Sequence, residues 1–139
     1  MSRRSINEGV KRVVLFDPKA AVTDNTAQVS AIVDTAGYDA VMLMIQTGTL
    51  SDADATFATT IDHGDVSNLS DAAAVASTDL TAALSTMNFT FADDSTTKAI
   101  GYIGMKRYVR VTVTPSANTG NLFLAGAAIL SLPTVSPAV

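Results

Sequence analysis

Residues Tyr108–Thr114 alternate without a break: Val109, Val111 and Val113 fall on one side and Tyr108, Arg110, Thr112 and Thr114 on the other. A period of two is the signature of a strand with one face in a core and one in solvent, which is the condition of an antiparallel sheet. The device recurs over Ala55–Asp62, with Phe57 and Ile61 on one side, and over Met87–Phe91. Further strands are expected over Val10–Phe16, Thr26–Asp34, Tyr38–Thr47, Lys98–Gly104 and Asn121–Leu132, about eight in all. Turn residues separate several of them: Ala36 and Gly37, then Gly48 with residues 51–54, then Gly104–Lys106.

Composition points the same way. Twelve of the thirteen acidic residues are Asp, and Thr, Val, Ala and Ser are abundant, which disfavours long helices. One short helix is expected near residues 70–84, where Ser70 is placed to cap the alanine-rich run Asp71–Val75. The expected fold is all-β: a two-sheet antiparallel sandwich, jelly-roll-like, with an immunoglobulin-like topology as the alternative. A chain of 139 residues is one domain on size. Its parts read as an N-terminal arm (1–9), a β-sandwich (10–132) and an extended C-terminal tail (133–139) carrying two prolines.

The charges are segregated along the chain. Between Ala20 and Thr97 there are eleven aspartates and no lysine or arginine, whereas all nine basic residues lie in the first nineteen positions or between Lys98 and Arg110. With a net charge of -4, the domain lacks the basic footprint of a phosphate-binding protein, so no direct nucleic-acid contact is expected. The chain has no cysteine, which excludes disulfides, thiolate metal sites and cysteine nucleophiles. The apolar run Leu122–Leu132 is half the length of a membrane-spanning helix and reads as a buried strand, so a soluble protein is expected, with no membrane partner.

Several motifs mimic chemistry. Asp34–Gly37 follows an apolar strand like the Asp-Thr-Ala-Gly element of a GTPase, but no phosphate-binding loop precedes it. The same residues resemble an aspartic-protease loop in which two copies of Asp34 would pair; Ala36, however, stands where that loop needs glycine. The bland alternative is a strand ending in a turn. His63 is the sole histidine and has no nucleophile context around it, so a structural role is expected. Asp52, Asp54, Asp62, Asp65 and Asp71 do not match an EF-hand, because Phe57 and His63 occupy the glycine and glutamate positions. Gly101–Gly104 has the form of a GXXG loop but lies in an expected strand. With no tryptophan, the chain is poorly equipped for sugar stacking. No catalytic, cofactor or metal residue is assigned. The remaining candidates are basic: Arg3, Arg4, Lys11 and Arg12 near the start, and Lys106, Arg107 and Arg110 in and before the alternating strand, all as contacts to a partner.

Three stretches, Val33–Gly48, Phe89–Asp94 and Gly101–Val113, resemble small virion proteins of tailed bacteriophages, in particular the capsid decoration or cement proteins. The resemblance spans roughly residues 29–115 and rests on strands and turns. It implies a non-enzymatic jelly-roll-like domain on the outside of a phage head. Such a domain clamps neighbouring major capsid proteins, associates as dimers or trimers and needs no cofactor. Tail-tube, head-completion and adaptor proteins are the neighbouring possibilities.

Overall fold

The computed structural model describes residues 5–134. It contains ten strands: β1 (Val10–Phe16), β2 (Gln28–Val29), β3 (Val33–Asp34), β4 (Tyr38–Leu50), β5 (Thr56–Gly64), β6 (Ala73–Ala74), β7 (Phe89–Thr90), β8 (Thr97–Tyr102), β9 (Tyr108–Ser116) and β10 (Leu122–Pro133). Sheet A is ordered β1-β10-β4-β8, and sheet B is built on β2-β9-β5-β6 with β3 also on β9 and β7 also on β5. All ladders are antiparallel.

The short strands are pieces of interrupted ones. β2 and β3 lie along the same edge of β9, and Ser30 bridges the gap: its N–H donates to Val111 O (2.8 Å) and its Oγ accepts the Val111 N–H (2.9 Å). β6 and β7 share the other edge of β5. Between them the Thr59 N–H donates to Asn88 Oδ1 (2.8 Å) and the Val75 N–H to Ile61 O (3.0 Å).

Joining these pieces leaves eight strands, and the sheets then run first-eighth-third-sixth and second-seventh-fourth-fifth. This is the order of one long antiparallel hairpin rolled up with its tip at residues 65–72. It is the jelly roll, two Greek keys in two packed sheets. Because the first strand pairs with the last, the start of β1 and the end of β10 emerge at the same end of the sandwich.

The core follows the alternation. Val109, Val111 and Val113 are fully buried from β9, with Phe57 and Ile61 from β5; facing them are Leu43 and Ile45 from β4, Ile100 from β8 and Ala128 and Leu130 from β10. Phe57 stacks on Phe89, ring centroids 4.7 Å apart, which anchors the interrupted edge to sheet B. A Cβ on Gly126 would come within 2.8 Å of the Met44 carbonyl oxygen and 3.0 Å of the Phe16 ring, so the centre of sheet A needs glycine there.

The expected helix near residues 70–84 does not form. That segment contributes the edge strand β6 and a 3-10 turn at Ser77–Asp79, and a second 3-10 turn follows at Leu84–Met87. The Asp71 carboxylate accepts the N–H groups of Asp65 (2.8 Å) and Val66 (3.2 Å), closing the hairpin tip instead of starting a helix. The unsatisfied edge of β5 then draws the backbone of Ala73 and Ala74 into the sheet, and burial of Val75, Leu80 and Met87 overrides alanine's helix preference. Among the described residues no helix is long and apolar enough to cross a membrane.

Truncating Phe57 to alanine should lower stability by about 3–5 kcal/mol, because the ring is fully buried against Phe89. Thr60→Ala on the solvent side of the same strand should change it by less than about 0.5 kcal/mol. Urea unfolding followed by circular dichroism measures both; equal losses would contradict the assigned faces.

Candidate interaction surface

The short connections Thr35–Gly37 and Ile103–Arg107 tie the two sheets together at the end where the termini emerge. Gly37 takes a left-handed conformation (φ +88°) in the first of these. Here the rolled chain gathers basic residues from both of their sequence clusters. Lys106 Nζ meets Asp65 at 2.6 Å, and Arg107 forks onto Asp34 through Nε (2.8 Å) and Nη2 (2.9 Å) while lying over the Tyr108 ring. Lys11 on β1 stands close enough to stabilise the Asp34 carboxylate as well. Arg110, two residues into β9, is directly opposite Asp62 on β5 and pairs with it at 3.4 Å.

Of the candidate contacts, Lys106, Arg107 and Arg110 are therefore each held by an aspartate of the acidic run. Lys11 and Arg12 have no ion pair among the described residues; Arg12 donates to Asn7 Oδ1. Arg3 and Arg4 lie outside the described residues. Arg12 is on the outer face of sheet A and Arg110 on the outer face of sheet B, so these two belong to different surfaces.

Asp24, Asp34, Asp52, Asp62, Asp65, Asp71, Asp93 and Asp94 each build a loop or an ion pair. Arg107's guanidinium holds the Asp34 carboxyl below its ordinary range, with the Ala36 N–H assisting. Asp52 accepts the N–H and hydroxyl of Thr119 and the N–H of Asp54, and these bonds lower its pKa. No three His, Asp or Glu side chains converge as metal ligands among the described residues. His63 Nδ1 and the Tyr102 hydroxyl lie 2.8 Å apart, linking β5 to β8, and Tyr102 also accepts the Lys106 N–H. This histidine ties the two sheets together.

At the opposite end lie Asp17, Asp24, Asp52, Asp54, Asp93 and Asp94 with only Lys19 and Lys98, so the excess negative charge is concentrated there.

What sequence reasoning missed is a face. Across the outside of sheet A the register sets Val10-Ser131-Ala40, Arg12-Ile129-Met42-Gly101, Val14-Ala127-Met44-Ala99 and Ala125-Gln46-Thr97 side by side. These rows are mainly apolar, with Ser131, Gln46 and Thr97 at their margins and one charge, Arg12; Val14 is 54% exposed and Met42 37%. The outside of sheet B is its opposite: Arg110-Asp62, Thr112-Thr60, Thr114-Ala58 and Ser116-Thr56. The apolar run Leu122–Leu132 reads as a buried strand from sequence, and Ala40–Ile45 in β4 is apolar as well. In an antiparallel two-layer fold such a run leaves half its side chains outside, and that was the available signal.

No protein-family model matches the chain, and no curated protein is detectably similar in sequence. Among solved structures it is similar to a family two carbohydrate esterase from Cellvibrio japonicus, with 11% identity and a TM-score of 0.39 over 94% of this chain. The chain spans 36% of that protein's chain.

Hydrogen bonds and cations lower the pKa values of Asp24, Asp34, Asp52, Asp65 and Asp71, so each prefers the folded state when ionised. Their stabilisation is complete above the ordinary carboxylate pKa and disappears as pH falls through the lowered folded values. Tm should therefore fall as pH drops below about 4. Asp34→Asn should lower Tm at neutral pH and flatten part of that acid slope, and 1 M salt should shrink the difference, because the pair is half exposed. A variant whose Tm parallels the parent's from pH 7 to pH 2 would remove the Asp34–Arg107 pair from the account.

Proposed function

We propose that this protein is a structural virion component, a decoration or cement protein that binds the outside of a phage head and bridges neighbouring major capsid proteins. The observation that carries the reading is the unequal pair of sheet faces. One outer face is mainly apolar and nearly uncharged over four strands, the other is a threonine-rich polar surface, and several of the aspartates serve loops and ion pairs. A rigid body with one adhesive face suits a part that acts by contact. On a lattice, a modest contact repeated between copies becomes effectively intramolecular and stiffens the shell without any one strong bond. The resemblance of residues 29–115 to decoration proteins supports the same role.

In this reading Lys11 and Arg12, with Arg3 and Arg4 ahead of them, meet an acidic patch on the capsid or a neighbouring copy. Rim charges of this kind set encounter rate and register. The acidic far end points away from the contact.

The test is direct. Particles produced by the genome that encodes the chain are separated into heads and tails on a density gradient and quantified by mass spectrometry. Amounts comparable to the major capsid protein in the head fraction are expected; presence only in tails would overturn the reading. Removing residues 1–4, with a parent-like thermal transition certifying the fold, should weaken head binding at low salt and flatten its salt dependence. Unchanged occupancy through a salt series would eliminate Arg3 and Arg4 as contacts, and the same result on removing residues 1–9 would eliminate the arm.

A further inference from the structure

The two sheets end differently at their sides. Sheet B is bordered by interrupted strands of two residues each, β2 and β3 on one side and β6 and β7 on the other. Beyond β8, one side of sheet A is covered by the chain itself. There the Thr81 N–H donates to Gly101 O (3.0 Å) and the Ile103 N–H to Asp79 O (2.8 Å), while Thr81 Oγ1 accepts the Gly101 N–H (2.8 Å). The other side is β1. Its seven residues pair with β10 alone, and along the free flank the one backbone bond among the described residues runs from the Ala31 N–H to Leu15 O at 3.0 Å, at the bulge. Val10–Val14 therefore turn alternate N–H and C=O groups to solvent, which is a template for one more strand.

Which strand it accepts follows from the side chains. Lys11 and Arg12 are adjacent, so they project from opposite faces of β1, and neither has an ion pair among the described residues. Arg12 shares the outer face with Val10 and with Val14, which is 54% exposed. Pairing with β1 of a second copy is disfavoured by like charges. A two-fold axis at Arg12 sets Arg12 opposite Arg12, and one between the two cations sets Lys11 opposite Arg12. A strand with carboxylates opposite both cations and apolar residues opposite Val10, Val13 and Val14 answers every position, and it extends the apolar rows of sheet A outward by one strand.

We propose that β1 is a docking edge that takes an extended segment of a partner protein as a fifth strand of sheet A, two adjacent acidic residues of that segment meeting Lys11 and Arg12. Backbone bonds supply the adhesion and the two ion pairs supply the register. That the partner is a capsid protein rests on the reading above; the edge is tested without capsids.

The probe is the capped peptide Thr-Val-Val-Glu-Glu-Val-Thr, with Thr-Val-Val-Lys-Lys-Val-Thr as its control, titrated into the isotope-labelled full chain and followed by amide NMR. The acidic peptide should shift the amides of Val10–Val14 and slow exchange of those that face outward, and the lysine peptide should bind about tenfold or more weakly. Lys11→Glu combined with Arg12→Glu should reverse this preference, and Lys11→Gln combined with Arg12→Gln should abolish it, a parent-like thermal transition certifying each fold. No shift at β1 by about 5 mM acidic peptide, equal binding of both peptides, shifts confined to the Met42 and Ile129 rows, or β1 amides protected by self-association of the free chain would each overturn the proposal. If the chain is absent from heads while the peptide result holds, the capsid reading fails and the docking edge stands.

Discussion

The antiparallel pairing of β1 with β10, the first strand with the last, is the constraint from which the remaining architecture follows. With those strands joined, each successive pair inward can form only by rolling the chain, and the sheets acquire their order. The same pairing inserts β10 between β1 and β4 and makes the apolar strands Tyr38–Leu50 and Leu122–Pro133 the centre of sheet A. It brings both ends of the described chain to one end of the sandwich, beside the two short connections, with Asp34 at the end of β3 and Arg107 just ahead of β9. These ladders join residues far apart in sequence, so they carry a large loop-closure cost that only a well-packed core offsets.

Electrostatics is organised by the same roll. Along the chain, acids and bases occupy separate blocks. In three dimensions β9 lies between β3 and β5, and the basic residues in and before it are set against carboxylates from the acidic block: Arg107 against Asp34, Arg110 against Asp62, Lys106 against Asp65. The Lys106 and Arg107 pairs are half exposed and the Arg110–Asp62 pair is partly buried; the exposed ones contribute little, and their main effect is to offset the carboxylates at that end. The carboxylates at the far end serve backbone N–H groups of loops, as Asp24 does for Thr26 and Asp52 for Thr119.

What the fold leaves without an internal partner is consequently apolar surface more than charge. The sequence directs attention to arginines and lysines, several of which are already partnered within the chain. The outer face of sheet A has no such partner among the described residues, and its rows are supplied by strands that look like interior ones. Met42 and Met44, flanked by Leu43 and Ile45, are indistinguishable from core by composition.

Much of the fold was legible because it depends on local alternation. The period of two in Tyr108–Thr114 sets Val109, Val111 and Val113 inward whatever sheet they join, and Gly37 marks its turn through a backbone conformation that other residues resist. The absence of a helix at residues 70–84 was not legible, because the edge of β5 that captures Ala73 and Ala74 is a non-local partner. The basic residues were visible as types, yet their state depends on which carboxylate lies across the ladder. The sequence by itself determined strands, turns, an all-β sandwich and a chain without thiol chemistry, because these follow from side-chain period and residue chemistry. Only the tertiary structure decided which cations are neutralised and which apolar face is left in water, because both depend on the strand placed alongside.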